Sequence, residues 1–413
     1  MSAWVAVWRI RVAGVAYTTT TLSGLTMQSG RSNVYDQPIA GYCTFNLSNT
    51  TGLPIVVNIN DAIEIAVQGN AGLFVTLFFG TVTDTGVAVR TMGTTLTQAT
   101  TITALGAISR LPKTVFAGAL AEGLDGAQML TVLGDTFFNN WSEVDAAYTW
   151  ATYAPASATW ATAENVGLGT VDTGDYTLAA QSANPIDSYT KASALATSGI
   201  GYIWEDAQGK VSYADSTHRT QYLVANGYKN LLATNALSAG LRIQTRAGDV
   251  RNDITLKYGA TSADSVNAVN AASQTIYGRL AQLITTTLKN LADATAQVAF
   301  YLSIRATPNA NLETITFELI NTNISNTERD TLLNVFMGMP VLITALPATM
   351  GSDFVGFVEG WKFDASFNTL AITLTLSPLA YSLQSMSWAT VAITEQWNTL
   401  SPTLDYANAQ MVY

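Results

Sequence analysis

The chain has a single cysteine and a single histidine among its 413 residues. A disulfide within the chain is therefore excluded, and a Cys/His zinc site cannot be built from Cys43 and His218 alone. Cys43 stands in the alternating run Tyr42-Cys43-Thr44-Phe45 and reads as a small core residue. His218, in Asp215-Ser216-Thr217-His218-Arg219, reads as a solvated histidine on a polar loop. Charge is scarce as well. Only 12% of residues are charged, about half the share in ordinary soluble domains. The balance is acidic, with a net charge of −10 and a pI of about 4.6. Gripping phosphate backbones takes clustered Lys and Arg, so nucleic-acid binding is disfavoured. DNA sliding past unbound is not. No apolar run approaches the roughly 20 residues that span a bilayer. Met1 to Gly14 places Arg9 and Arg11 in an alternating pattern, with no apolar h-region, so no signal peptide is expected.

Thr, Ser, Ala and Asn stand where a monomer would carry charge, while hydrophobic residues make up 48%. That is a globular composition, and its neutral surface suits being covered by partners. The length suggests roughly three domains.

The first third reads as strands: Ala3 to Val12, Gly41 to Leu47, Ala62 to Val67, Leu73 to Val82 and Thr100 to Leu105. Turns such as Asn49-Thr50-Thr51-Gly52, Gln68-Gly69-Asn70 and Asp84-Thr85-Gly86 separate them, the pattern of an antiparallel sandwich or barrel. Beyond Pro112 the character changes. Ala119 to Phe138 has a helical period, Trp141 to Gly169 has none, and Ser188 to Thr197 reads as a short helix. Tyr202 and Trp204 against Val211 and Tyr213 read as a hairpin around Gly209. This middle block is expected to be α+β. Leu241 to Lys257 returns to strand patterning, and Asp264 to Gly278 is ambiguous. Asn290 to Arg305 reads as a helix capped by Asn290, with Leu291, Ala294 and Val298 on one face.

The last third echoes the first. Ile315 to Leu319 resembles Cys43 to Leu47, Pro340 to Ile343 resembles Ala62 to Ile65, Phe354 to Val358 resembles Phe78 to Val82, and Leu370 to Leu374 resembles Thr100 to Ala104. One β-module used twice is the reading. The tail beyond Pro378 carries spaced aromatics, among them Trp388, Trp397, Tyr406 and Tyr413, expected to dock on a neighbour.

Catalytic patterns are weak. Asp84-Thr85-Gly86 and Asp172-Thr173-Gly174 both match the aspartic-protease tripeptide, but in unlike contexts, and a shared proton needs carboxylates about 3 Å apart. Both read as turns. Asp125, Asp135, Glu143 and Asp145 form the nearest carboxylate cluster, explained more simply by a helix and its polar flank. Asp172-Thr173-Gly174-Asp175 is too short for a calcium loop. There is no nucleophile elbow and no phosphate loop. No catalytic, cofactor or metal residue is assigned.

The order of several motifs resembles the minor tail proteins of actinobacterial siphophages, the tail-tip or baseplate hub family. They are Gly30-Arg31-Ser32-Asn33-Val34-Tyr35-Asp36-Gln37-Pro38-Ile39-Ala40-Gly41, then Phe79-Gly80-Thr81-Val82, the hairpin Gly201 to Val211, Ile276-Tyr277-Gly278-Arg279, Gly338-Met339-Pro340-Val341 and Val358-Glu359-Gly360. The resemblance implies a β-rich α+β, multidomain protein. Two related tube-like β-barrel modules, 1–112 and within 236–380, would flank an α+β domain at 113–235, with a docking tail at 381–413. It implies three copies in a pseudo-sixfold ring at the virion's tail tip. The ring would join a tail tube or distal tail protein to a central fibre or spike, beside the tape measure protein. No cofactor is implied. An acidic bore would let the genome pass without sticking. A β-rich receptor- or glycan-binding tail protein is the alternative, and a wall hydrolase a third; the resemblance implies neither.

Overall fold

The computed structural model describes residues 4–17, 21–49, 55–92, 95–138, 150–153, 169–237, 241–245, 247–308, 310–348, 350, 353–366 and 369–379. It is dominated by one 13-stranded sheet. Its strands, in chain order, are β1 (Trp8–Val12), β2 (Val15–Ala16), β3 (Thr21–Gly30), β4 (Ile39–Asn49), β5 (Ala62–Gln68), β6 (Phe74–Met92), β7 (Thr95–Leu105), β8 (Lys229–Leu232), β9 (Arg242–Thr245), β10 (Ala310–Glu318), β11 (Pro340–Thr344), β12 (Phe354–Ser366) and β13 (Thr369–Pro378). Neighbours run β9-β10-β13-β12-β3-β4-β7-β6-β5-β1-β2, with β8 on β11 and β11 on β12.

The expected repeat is present strand for strand. The first unit pairs β4-β7-β6-β5 and the second β10-β13-β12-β11, all antiparallel. Register matches too. Phe45 faces Ile102 as Phe317 faces Ile372, and Ile63 faces Gly80 as Val341 faces Gly356. Both β6 and β12 break register at one place, between Val82 and Asp84 and between Val358 and Gly360. The glycines before these bulges have one environment. A Cβ on Gly80 would meet the Leu105 carbonyl and the Phe78 ring, and a Cβ on Gly356 the Ser377 carbonyl and the Phe354 ring. Only glycine lets the backbone approach so closely.

The units do not close into two separate tubes. Among the described residues no barrel is closed, because β3 of the first unit pairs with β12 of the second from Gly30↔Gly360 to Leu25↔Ala365. The strand edges available for closure are thereby joined to each other. Alternation does the rest. A row of Phe317, Ile372, Phe363, Met27, Cys43, Ala104 and Val82 crosses both units. All seven are buried in one shared core.

A second core gathers α1 (Asp125–Phe138), α2 (Ser188–Ser198), the hairpin Tyr202–Glu205/Val211–Ala214, the three-stranded sheet Asp253–Tyr258, Asp264–Val269 and Ala281–Thr285, and α5 (Leu291–Arg305). Between them lie α3 (His218–Asn226) and α4 (Ala271–Tyr277); α6 (Asn326–Leu333) packs on the large sheet. Several expectations are corrected here. Helix α1 starts at Asp125, because Leu120 and Gly123–Leu124 are held in extended pairings with Gln181 and Thr177–Leu178. Asp84-Thr85-Gly86 is no turn but lies within the 19-residue strand β6. Asn290 precedes α5 without capping it; its amide donates to Asp293 instead. Leu291 points out at 56% exposure, while Ala294 and Val298 are buried. The ambiguous 264–278 stretch is a strand followed by a short helix. Among the described residues no helix is long and apolar enough to cross a membrane.

Candidate functional surface

The face of the large sheet opposite the core carries little charge across its middle strands; Arg9 and Arg11, paired with Glu64, lie farther along it on β1 and β5. One row across it reads Glu318, Ala371, Asp364, Thr26, Thr44, Thr103 and Asp84. The next reads Thr316, Thr373, Lys362, Gln28, Tyr42, Leu105 and Thr81. These are the Thr-rich alternate positions of the same strands that build the core. Three carboxylates and one lysine are the only charges in the two rows. Lys362 lies 2.9 Å from Asp364, which also accepts the Thr26 hydroxyl at 2.8 Å. Thr316 with Thr373, and Thr101 with Asn46, bond across strands. The surface is therefore polar, self-satisfied and faintly acidic. These two rows offer phosphates no cluster of cations.

Behind the seam where β3 meets β12 lies a buried charge cluster. Glu359 sits at the β12 bulge with its side chain 1% exposed. It accepts Arg31 Nε at 2.7 Å and both Nη atoms of Arg219, at 2.7 and 2.9 Å, together with the Ser377 hydroxyl. The Arg31 amide also donates to the Glu359 carbonyl at 2.9 Å. Arg219 lies over the rings of Tyr202 and Phe357. Burial alone would raise the Glu359 pKa, but Arg219 and Arg31 outweigh it and hold the carboxyl well below the usual range. Three charges from remote stretches of chain thus fasten the two units and the middle block together. The sequence signal was a glutamate inside the apolar run Phe357-Val358-Glu359-Gly360-Trp361: a carboxylate buried in a strand needs partners.

A second buried acid joins the middle block to the first unit. The Glu205 carboxylate accepts the amides of Gly41 and Ile108, the latter at 2.8 Å. A Cβ on Gly41 or Gly106 would collide with it. Burial, only partly offset by these two amides, pushes its pKa up to about 7.

The acidic candidates do not form a catalytic pair. Asp172 is buried at the end of a strand, bonded to His218 Nδ1 at 2.6 Å and to the Asp215 amide at 3.0 Å. Asp84 is exposed on β6, in a different sheet. His218 is 3% exposed and opens α3, so the expected solvated loop histidine is in fact a core residue. Its helix start tucks the ring against Asp172. Asp125 is buried and accepts the Asp175 and Tyr176 amides and the Tyr213 hydroxyl, which is a structural role. Asp135 is exposed on α1. Glu143 and Asp145 lie outside the described residues, as do Trp388, Trp397, Tyr406 and Tyr413. Cys43 is a buried free thiol, as expected. Among the described residues no group of three or more His, Cys, Asp or Glu side chains is placed to hold a metal.

No family model matches the chain, and no curated protein matches it in sequence. Solved structures do match in shape. A tail protein from Neisseria meningitidis MC58 superposes with a TM-score of 0.59 at 12% identity, covering 92% of this chain and 98% of that one. The 43 kDa tail protein of prophage MuSo2 from Shewanella oneidensis does so at 0.59 and 10% identity, covering 91% and 98%. The chain has the fold of these tail proteins. The likeness runs over nearly the whole length of each chain.

Proposed function

We propose that the chain is a structural phage-tail protein, a hub of the tail tip or baseplate. Three copies would form a ring that joins a sixfold tail tube or distal tail protein to a threefold central fibre or spike. The observation that carries this reading is the doubled four-strand unit. Two units of one strand order, with matching bulges, in each of three chains give six similar faces, as a threefold to sixfold adapter requires. The shared fold with prophage and bacterial tail proteins supports the tail setting. On this reading 1–112 and 236–380 hold the two units, 113–235 is a middle domain, and 381–413 docks on a neighbour such as the tape measure or fibre protein. The polar rows ending in Glu318 and Asp84 would line the bore, and their sparse, acidic charge would let DNA pass without adhering. Native mass measurement and electron microscopy of the purified chain test the reading. A threefold ring with six inner lobes is expected, and a stable monomer at high concentration refutes it.

A further inference from the structure

One seam between units lies inside the chain, and its geometry specifies another between chains. Within the chain, β12 from Gly360 to Ala365 has β13 on one side and β3 on the other. The counterpart in the first unit is β6 beyond its bulge, from Asp84 onward. That stretch pairs with β7 alone; β5 covers only the earlier part, from Phe74 to Thr81. Its outer edge is open among the described residues. A long open strand edge normally pairs with another chain or is protected by charge or proline. Here it carries Val87 and Val89 at 58% and 66% exposure. Their counterparts three and five places beyond the bulge-following residue are Phe363 and Ala365, buried at 1% and 8% by the β3 seam.

The missing strand is also in the chain. What β3 is to β4, β9 is to β10. Ile39 and Asn311 each stand six residues before the matched Phe45 and Phe317, and opposite them stand Gly30 and Gln244. β9 has its outer edge open among the described residues. We infer that β9 of one copy pairs antiparallel with the distal half of β6 in a second copy, with Gln244 opposite Asp84 and Leu241 against Val87, as Gly30 lies opposite Gly360 and Met27 against Phe363. The contact joins two different edges, so it is heterologous and propagates until it closes. This inference rests on the hub reading, under which three such seams alternate with three internal ones. The external seam lacks the charge cluster. The places of Arg31 and Glu359 are taken by Thr245 and Thr83, so it is the weaker of the two kinds.

Cysteine pairs test it. Asp84→Cys with Gln244→Cys, and Gly86→Cys with Arg242→Cys, place thiols across the seam at two steps of one register. Cys43, fully buried, gives a silent background. Under mild oxidation at least one double variant is expected to yield covalent trimer on a denaturing gel, reversed by reductant, and no single variant should do so. In wild-type protein, the amides between 84 and 87 that face away from β7 should gain at least tenfold protection from hydrogen exchange on assembly. A threefold ring by native mass measurement with no cross-link from either pair, and no protection at 84–87, overturns the seam and leaves the hub intact. Cross-linked ladders running past three chains uphold the seam and sink the closed ring. A chain that stays monomeric under all conditions overturns both.

Discussion

Replacing Glu359 by Gln keeps the side chain's shape and removes its charge. Two guanidiniums, Arg31 and Arg219, then remain with side chains 6% and 5% exposed and no counter-charge between them. Removing one member of a buried ion cluster costs about 3–5 kcal/mol, because the remaining charges stay desolvated. Domains of ordinary stability hold about 5–15 kcal/mol in total, so the variant should lose roughly a fifth or more of its margin. Arg31→Met is milder, since Arg219 keeps both bonds to the carboxylate and no charge is left without a counter-charge; the lost bonds to Glu359 and to the Asp36 carbonyl should cost about 2–4 kcal/mol. The acid side gives an independent readout. Glu359 has its folded pKa depressed, so the folded state binds that proton more weakly than the unfolded chain. Its stabilisation is present above the ordinary value of 4.5 and is lost as pH falls below it. Urea midpoints followed by tryptophan fluorescence at pH 7, 5 and 3.5 should therefore fall more steeply for wild type than for Glu359→Gln on acidification. A variant within about 1 kcal/mol of wild type at pH 7, or parallel acid limbs, would refute the claim that this cluster fastens the seam.

Other perturbations follow from the same structure. Gly80→Ala and Gly356→Ala should each destabilise by about 1–3 kcal/mol through backbone collision, and by similar amounts, since the two sites share one environment; denaturant titration reads both. Phe45→Ala and Phe317→Ala, at matched and fully buried positions, should each cost about 3–5 kcal/mol; a loss confined to one would break the equivalence of the units. Glu205, with its pKa raised from 4.5 to about 7, holds its proton more tightly when folded, so its contribution is full below pH 4.5 and is lost as pH rises through 7. Glu205→Gln should flatten that decline, worth on the order of 3 kcal/mol, in melts between pH 5 and 8. If the hub reading holds, converting Glu318, Asp364 and Asp84 together to Lys should leave the fold intact by circular dichroism yet slow genome release from assembled particles, as a cationic bore would hold phosphates.

Much of the doubled unit was legible, and for a plain reason. Phe45 and Phe317, Ile102 and Ile372, Gly80 and Gly356 each sit in alternating runs whose period reveals a buried face. Periodicity does not reveal which strand lies alongside, so the β3–β12 seam, formed between residues more than 300 apart, was invisible and the units were expected as separate tubes. Asp84 read as a turn because Asp, Thr and Gly favour turns locally, whereas pairing with β7 keeps it extended. His218 read as solvated because its neighbours are polar; Asp172, far away in sequence, takes it inward. The polar rows were visible only as an excess of threonine.

The hydrogen bond from Thr26 to Asp364 spans 338 positions of sequence. During synthesis at roughly 5–20 residues per second, β3 emerges on the order of tens of seconds before its partner. Throughout that interval a nascent chain offers a bare strand beside a finished first unit. On a crowded message, the nearest look-alike for β12 is β6 of the neighbouring ribosome's product. Closure of the seam within one chain therefore competes with pairing between copies made side by side.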